Sequence, residues 1–278
     1  MLNLDEYQAI LLDLDGTVYR EEHPLPGAVE FVRLLNASGR KYACLSNSTL
    51  SPEHVAARLG RMGIAADATH IYTAAAAAVD YVLRRHGPWP RIFNLATEGV
   101  QEMLSGRCHW VHSADERCDA IIVGTPTNVY ATEERQRIAL MLLRNGAELV
   151  GTCADRVFPS PRGLEFGAGA LCAYLGYAAN VTPVFCGKPQ EVFFHNLCQR
   201  LGVEAAGCLL IGDNIESDIV GGRRVGMRTI LTLSGITEQR DLERLPPEHR
   251  PDAVFRDLAE LVEKTVGWSR AAGAGKSE

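Results

Sequence analysis

Residues 9–17 read AILLDLDGT: an apolar run delivers two aspartates, Asp13 and Asp15, and breaks at Gly16. The run predicts a strand buried on both faces, the pattern of parallel sheets. Positions 13 and 15 share one face for as long as the strand continues. At a strand end the chain turns, and the second carboxylate can swing away from the first. Two acids placed this way repel each other unless they share a cation or a proton. The stretch therefore points to a bound partner, either a hard metal such as Mg²⁺ or a substrate attacked by one of the acids.

The pattern repeats outward from this strand. Pro26 opens a helical periodicity through Ala28, Phe31, Val32, Leu34 and Leu35, closed by Gly39. KYACL at 41–45 predicts a strand that stops at Ser46-Asn47, and Ser51-Pro52-Glu53 starts another helix. Toward the far end, Val184–Cys186 predicts a short strand before Gly187-Lys188-Pro189. A helix is expected at 191–201, a strand at 208–211 stopping at Gly212-Asp213-Asn214, and a strand at 229–233. Between these blocks lie strand candidates at 91–95, 119–123 and 148–151, a helix at 132–145 and the helix-prone Ala74–Ala78. Alternation of this kind implies an α/β fold with a mostly parallel sheet and helices on both faces. The sharp polar motifs lie in the two outer blocks. One domain inserted into another is therefore expected: a discontinuous Rossmann-like core of residues 1–75 and 183–278, and an inserted α/β domain of residues 76–182.

The chain has 278 residues, of which 46% are hydrophobic, which suffices for a substantial core. The formal net charge of −6 argues against nucleic acid as a partner. No apolar run reaches membrane-spanning length, and MLNLDEYQ lacks the features of a signal peptide, so a cytoplasmic protein is expected. The eight cysteines are scattered without a CxxC and read as buried, reduced thiols.

In an open α/β sheet, ligands gather at the carboxyl ends of the strands. Asp13, Asp15, Ser46, Lys188, Asp213 and Asp218 would converge there. A carboxylate nucleophile, a metal and donors to phosphate oxygens suit phosphoryl transfer. Four motifs carry a specific resemblance: DLDGTVY from Asp13, Ser46-Asn47, Gly187-Lys188-Pro189, and GDNIESDI from Gly212. In this order they resemble the motifs of the haloacid dehalogenase superfamily of phosphatases. The long insertion resembles the α/β cap of the NagD-like branch. Residues 158–163 and 167–171, Gly221, Gly226 and TLSGIT at 232–237 also fit that branch.

The resemblance implies roles. Asp13 would attack phosphorus, and Asp15 would act as general acid and then general base. Asp13, the backbone carbonyl of Asp15, and Asp213 would hold Mg²⁺. Ser46, Asn47 (through its backbone N–H) and Lys188 would bind the phosphoryl group. Asp218, Asn214 and Thr17 would support these residues, although Asp218 also reads as a helix-start acid. In the cap, Thr152-Cys153-Ala154-Asp155 stands where relatives often read Thr-Asn-Pro-Asp. Asp155 is either a specificity residue or a cap of a helix or turn. The substrate would be a small phosphorylated metabolite, left open among sugar phosphate, nucleotide, phosphoglycolate and pyridoxal phosphate. Homodimerisation through the cap is expected, with no nucleic-acid or membrane partner. A phosphotransferase or mutase, or a non-catalytic binding protein, is the alternative reading.

Two further patterns read as coincidences. Gly275-Lys276-Ser277 lacks the earlier glycine of a P-loop, because Arg270 occupies that position. Cys108, His109, His112 and Cys118 match no standard zinc spacing.

Overall fold

Strand Ala9–Asp13 forms as expected and lies inside a six-stranded sheet. The computed structural model describes residues 2–126, 129–160 and 163–266. The sheet order is Ala253–Phe255, Arg228–Thr232, Cys208–Gly212, Ala9–Asp13, Lys41–Ser46 and Ile71–Thr73. From Ala9–Asp13 the chain builds outward to one side first and then returns to build the other. Ala9–Asp13 is thus the strand at which the order reverses, where α/β folds place their ligands. Its pairings with Cys208–Gly212 and Lys41–Ser46 are both parallel.

Two faces of the central strand are buried, as its sequence demands. Ile10 and Leu12 pack into a cluster with Phe31, Val32, Leu35, Val55, Leu59 and Ile211. Ala9 and Leu11, pointing the opposite way, are equally inaccessible. Helix Ala28–Ser38 presents Ala28, Phe31, Val32 and Leu35 at helical spacing, and Gly39 ends it in the left-handed conformation. Full burial of each large side chain in this cluster contributes roughly 1.5–3 kcal/mol.

Contacts divide the chain into two units. The first comprises residues up to Ser46, Val55–Tyr72 and the described residues from Leu197 onward; the second comprises Asn47–His54 and Thr73–Asn196. The second unit has its own five-stranded parallel sheet. Its order is Val184–Phe185, Glu148–Gly151, Ala120–Val123, Arg91–Leu95 and His109–Trp110. Phe93, Ile121, Val123, Leu142, Leu149 and Leu175 form its core. The expected long helix runs Glu133–Arg144, with the Thr132 side chain accepting from Arg135 N at its start. The alanine-rich run becomes helix Ala74–His86, capped by Thr73.

One strand pairs differently from its reading in the sequence. By its sequence Val184–Phe185 belongs with the outer block, whereas it adds to Glu148–Gly151 in the five-stranded sheet. A two-residue strand carries no local signal of its sheet, and its partner is set by tertiary pairing. Strands Val157–Ser160 and Gly163–Phe166, which the sequence does not announce, pair antiparallel. No described helix is long and apolar enough to cross a membrane. All eight cysteines are free thiols, and seven are buried, with Cys118 intermediate. Gly275-Lys276-Ser277, the tail from Ala271, and Pro161 and Arg162 lie outside the described residues.

Candidate active site

The register of the sheet explains how distant aspartates meet. Leu12 pairs with Ile211 and Asp13 pairs with Leu45. The three parallel strands therefore run out together, and Asp13, Ser46 and Asp213 leave the sheet at neighbouring points. Asp13, Ser46 and Asp213 are buried. A fully buried Asp218 joins them, and carboxylate oxygens of Asp13, Asp213 and Asp218 all lie within 4.8 Å of one another.

Three buried carboxylates at this spacing raise one another's electrostatic energy unless a cation or protons offset them. Their all-oxygen chemistry fits a hard divalent ion, and these residues pass that test on burial and spacing. Among the described residues, Cys108, His109, His112 and Cys118 do not gather into a comparable group.

Close backbone packing holds Asp213. Its Oδ2 accepts a 2.6 Å hydrogen bond from Ile236 N. A Cβ at Gly16 would fall 2.4 Å from the same oxygen, and one at Gly235 would fall 1.8 Å from it. Ser234 donates its Oγ hydrogen to Gly16 O at 2.8 Å, tying the 232–237 segment to the turn after Asp13. Residues 234–236 were legible only as part of a family-like stretch, and their grip on Asp213 was not foreseen.

Asp218 is set by a local device. Asn214 Oδ1 accepts from Glu216 N at 2.9 Å and Ser217 N at 3.1 Å, capping the π-helical segment Ile215–Val220. That segment returns Asp218 so that its Oδ2 accepts from Asn214 N at 3.2 Å. A Cβ at Gly212 would sit 2.5 Å from Asp218 Oδ2. Asn214 thus shapes the loop and Asp218 faces the acidic cluster.

The two aspartates of the opening stretch separate. Asp13 is buried, while Asp15 is exposed. Leu14 O accepts from the backbone N–H groups of Thr17, Val18 and Tyr19 at 3.3, 2.8 and 3.1 Å, which closes the turn around Asp15. Gly16 occupies it at φ +89°, a conformation that favours glycine. Thr17 is buried in this turn, and its Oγ1 has no hydrogen-bond partner among the described residues. Tyr19 donates its hydroxyl hydrogen to Asp15 Oδ2 at 2.9 Å, and the Arg58 guanidinium lies 4.7 Å from the Tyr19 ring centroid. Burial first, then the Asp15 charge, pushes the Tyr19 phenol far above its ordinary pKa, so it remains a donor. The Tyr19 contact was missed in the sequence, where the spacing of four from Asp15 was its sole trace.

In the second unit, Asn47 and buried Lys188 come together. Lys188 N donates to Asn47 Oδ1 at 2.8 Å, and Asn47 Nδ2 donates to Lys188 O at 3.0 Å. Asp155 is exposed beyond strand Glu148–Gly151, and its carbonyl accepts from Gly169 N at 3.0 Å. Burial, with Asp155 alongside, pushes the neighbouring Cys153 thiol up to about 12.

The chain is similar in sequence and in fold to several phosphatases. The haloacid dehalogenase-like hydrolase profile matches residues 10–107, and a HAD-hydrolase-like profile matches residues 185–261. An acid sugar phosphatase of Staphylococcus saprophyticus is 31% identical over 264 residues, covering 94% of this chain and 99% of its own. The crystal structure of a 4-nitrophenylphosphatase from Thermotoga maritima superposes with a TM-score of 0.82 at 29% identity, over 94% of this chain and 98% of that one. A glycerol phosphate phosphatase of Mycobacterium tuberculosis in complex with magnesium gives a TM-score of 0.83 at 26% identity, covering 93% of this chain and 78% of that one. The chain belongs to the haloacid dehalogenase-like hydrolase family. Within that family it is a NagD-like phosphatase, a phosphoric monoester hydrolase.

Proposed function

We propose that the chain hydrolyses small phosphorylated metabolites by a Mg²⁺-dependent route through an aspartyl-phosphate on Asp13. The observation that carries this reading is the buried group Asp13, Asp213 and Asp218, with exposed Asp15 two residues beyond Asp13. Asp13, Asp213 and the backbone carbonyl of Asp15 would hold the ion, with Asp218 supporting them. When bound, it would neutralise charge on the phosphoryl oxygens.

In the first half-reaction an Asp13 carboxylate oxygen attacks phosphorus. The bond from phosphorus to the leaving alcohol oxygen breaks, and the Asp15 carboxyl supplies that oxygen's proton. In the second half-reaction Asp15 takes a proton from water as the water oxygen attacks phosphorus. The Asp13–phosphorus bond breaks, releasing inorganic phosphate and restoring both carboxyl groups. This reversal of proton direction is the acid–base exchange the chemistry requires. Ser46, the Asn47 N–H and Lys188 are assigned to the phosphoryl oxygens. Thr17 and Asn214 are assigned to shaping the two acidic loops.

The residues split by task in this reading. In it, a core of residues 1–75 and 183–278 supplies the phosphoryl chemistry, with Asn47–His54 and residues 183–196 of that core grouping by contacts with the second unit, and a cap of residues 76–182, with Asp155, selects the leaving group and forms a homodimer contact in a cytoplasmic enzyme. The similarity to an acid sugar phosphatase and a glycerol phosphate phosphatase favours a sugar or polyol phosphate as substrate. Phosphate release from a panel of sugar, polyol and nucleotide monophosphates, with Mg²⁺ and with EDTA, tests the proposal. Mg²⁺-dependent release from a sugar or polyol phosphate is expected. Release that persists unchanged in EDTA refutes the metal assignment. Phosphorylation of an added alcohol without free phosphate would move the chain to the transferases.

A further inference from the structure

We propose that the Asn47 side chain is a positioning residue for Lys188, fixing the lysine's backbone so that its ammonium is presented in one place. The inference rests on the reading that Lys188 receives phosphoryl oxygens. The observation is a closed pair of hydrogen bonds: Lys188 N to Asn47 Oδ1 at 2.8 Å, and Asn47 Nδ2 to Lys188 O at 3.0 Å. A primary amide offers one acceptor and one donor in a single plane, the same pair that a peptide unit offers. Asn47 therefore pairs with Lys188 as a backbone segment would, across 141 residues of sequence.

Chemistry selects this residue type. Aspartate would present two acceptors and oppose Lys188 O, and serine is too short to bridge both groups. Gly187 permits the approach, since a Cβ there would fall 2.8 Å from Asn47 Oδ1 and 2.7 Å from Thr152 O. Lysine carries its charge on a flexible four-carbon stem. Once Lys188 N and O are both held, the uncertainty in the ammonium position is reduced to side-chain rotamers. Lys188 is itself buried, which limits those further. This function is distinct from the Asn47 N–H assigned to phosphate, because it belongs to the side chain alone.

Asn47→Ala separates the two, because alanine keeps the N–H and deletes only the amide. The probe is inorganic phosphate, its affinity measured by calorimetry in the presence of Mg²⁺. The variants are Asn47→Ala, Lys188→Ala, the double variant and Gly187→Ala. Loss of two hydrogen bonds to one backbone unit is expected to weaken phosphate about tenfold to a hundredfold. If the amide acts through Lys188, the double variant binds phosphate no more weakly than Lys188→Ala alone. Gly187→Ala, which retains both Asn47 and Lys188 but crowds the amide, should reproduce the Asn47→Ala loss and carries the test if Asn47→Ala does not fold. An Asn47→Ala effect that recurs in full on the Lys188→Ala background overturns the proposal, as does wild-type affinity in Asn47→Ala. Wild-type affinity in Lys188→Ala removes instead the underlying assignment of Lys188, and the inference with it.

Discussion

Gly235→Ala tests the construction of the acidic cluster without changing a charge. An alanine methyl at 235 would lie 1.8 Å from Asp213 Oδ2 and 2.3 Å from its Cγ. Ordinary contact starts at 3.4 Å, so Asp213 must withdraw by about 1.6 Å. A functional constellation tolerates displacements of about 0.5 Å. The withdrawal also breaks the charge-assisted bond from Ile236 N, a contact of a kind that contributes about 1.5–3 kcal/mol. Gly235 is not among the glycines of positive φ, so alanine meets a steric obstacle and no backbone strain. The expected result is a ten- to hundredfold rise in the Mg²⁺ concentration needed for half-maximal p-nitrophenyl phosphate hydrolysis, with calorimetric Mg²⁺ affinity falling in parallel. Gly60→Ala is the control. A Cβ there meets nothing within 4 Å in helix Pro52–Arg61, so the Mg²⁺ response should stay unchanged while stability rises by up to about 1 kcal/mol. A Gly235→Ala enzyme with Mg²⁺ half-saturation and turnover within about twofold of the parent would refute the packing argument.

Asp13→Asn keeps the side-chain shape and removes the proposed nucleophile, so turnover should fall by about four orders of magnitude or more while the thermal unfolding midpoint changes little; measurable burst phosphorylation of the variant would contradict the assignment. Asp15→Asn should slow both half-reactions by about 10²–10⁴-fold, read in single-turnover quench experiments, with phosphoenzyme accumulating if the water step suffers more; an unchanged rate would rule out Asp15 as the proton carrier. Burial, reinforced by the Asp13 charge, pushes the Cys44 thiol up to about 12, and Cys153 stands at about 12 as well. Because the thiolate is the reactive form and appears only as pH approaches the raised pKa, about one part in 10⁴ is ionised at pH 8. Native-state labelling with iodoacetamide at pH 8, followed by peptide mapping, should therefore leave both unmodified, whereas labelling at the rate of a free cysteine would show that the burial is wrong.

Much of the first unit was legible because its signals are local. The apolar run into Asp13, the helical spacing of Phe31, Val32 and Leu35, and the strand breaks at Ser46 and Gly212 each announce their element within a few residues. The likeness of four ordered motifs then supplied which strand ends belong together. What stayed hidden is pairwise and long-range. Val184–Phe185 is too short to declare its sheet, and its partner lies more than thirty residues earlier. Gly235 lies in the TLSGIT stretch, and nothing local to it shows that Asp213 sits against its backbone. Asn47 reads as a turn residue or an N–H donor, and nothing local shows that its amide reaches Lys188. Tyr19 lies in a recognised motif, yet its contact with Asp15 depends on how the turn closes.

That turn has a thermodynamic consequence. Leu14 O collects three N–H groups in succession, and Gly16 supplies the one left-handed residue needed to do so. Ordering a backbone residue costs about 1–2 kcal/mol of conformational entropy. For the segment carrying Asp15 this cost is met once, when the protein folds. With Asp15 as the proposed proton carrier, each catalytic cycle would begin with it on an ordered backbone, leaving only its side-chain torsions to be settled in the transition state.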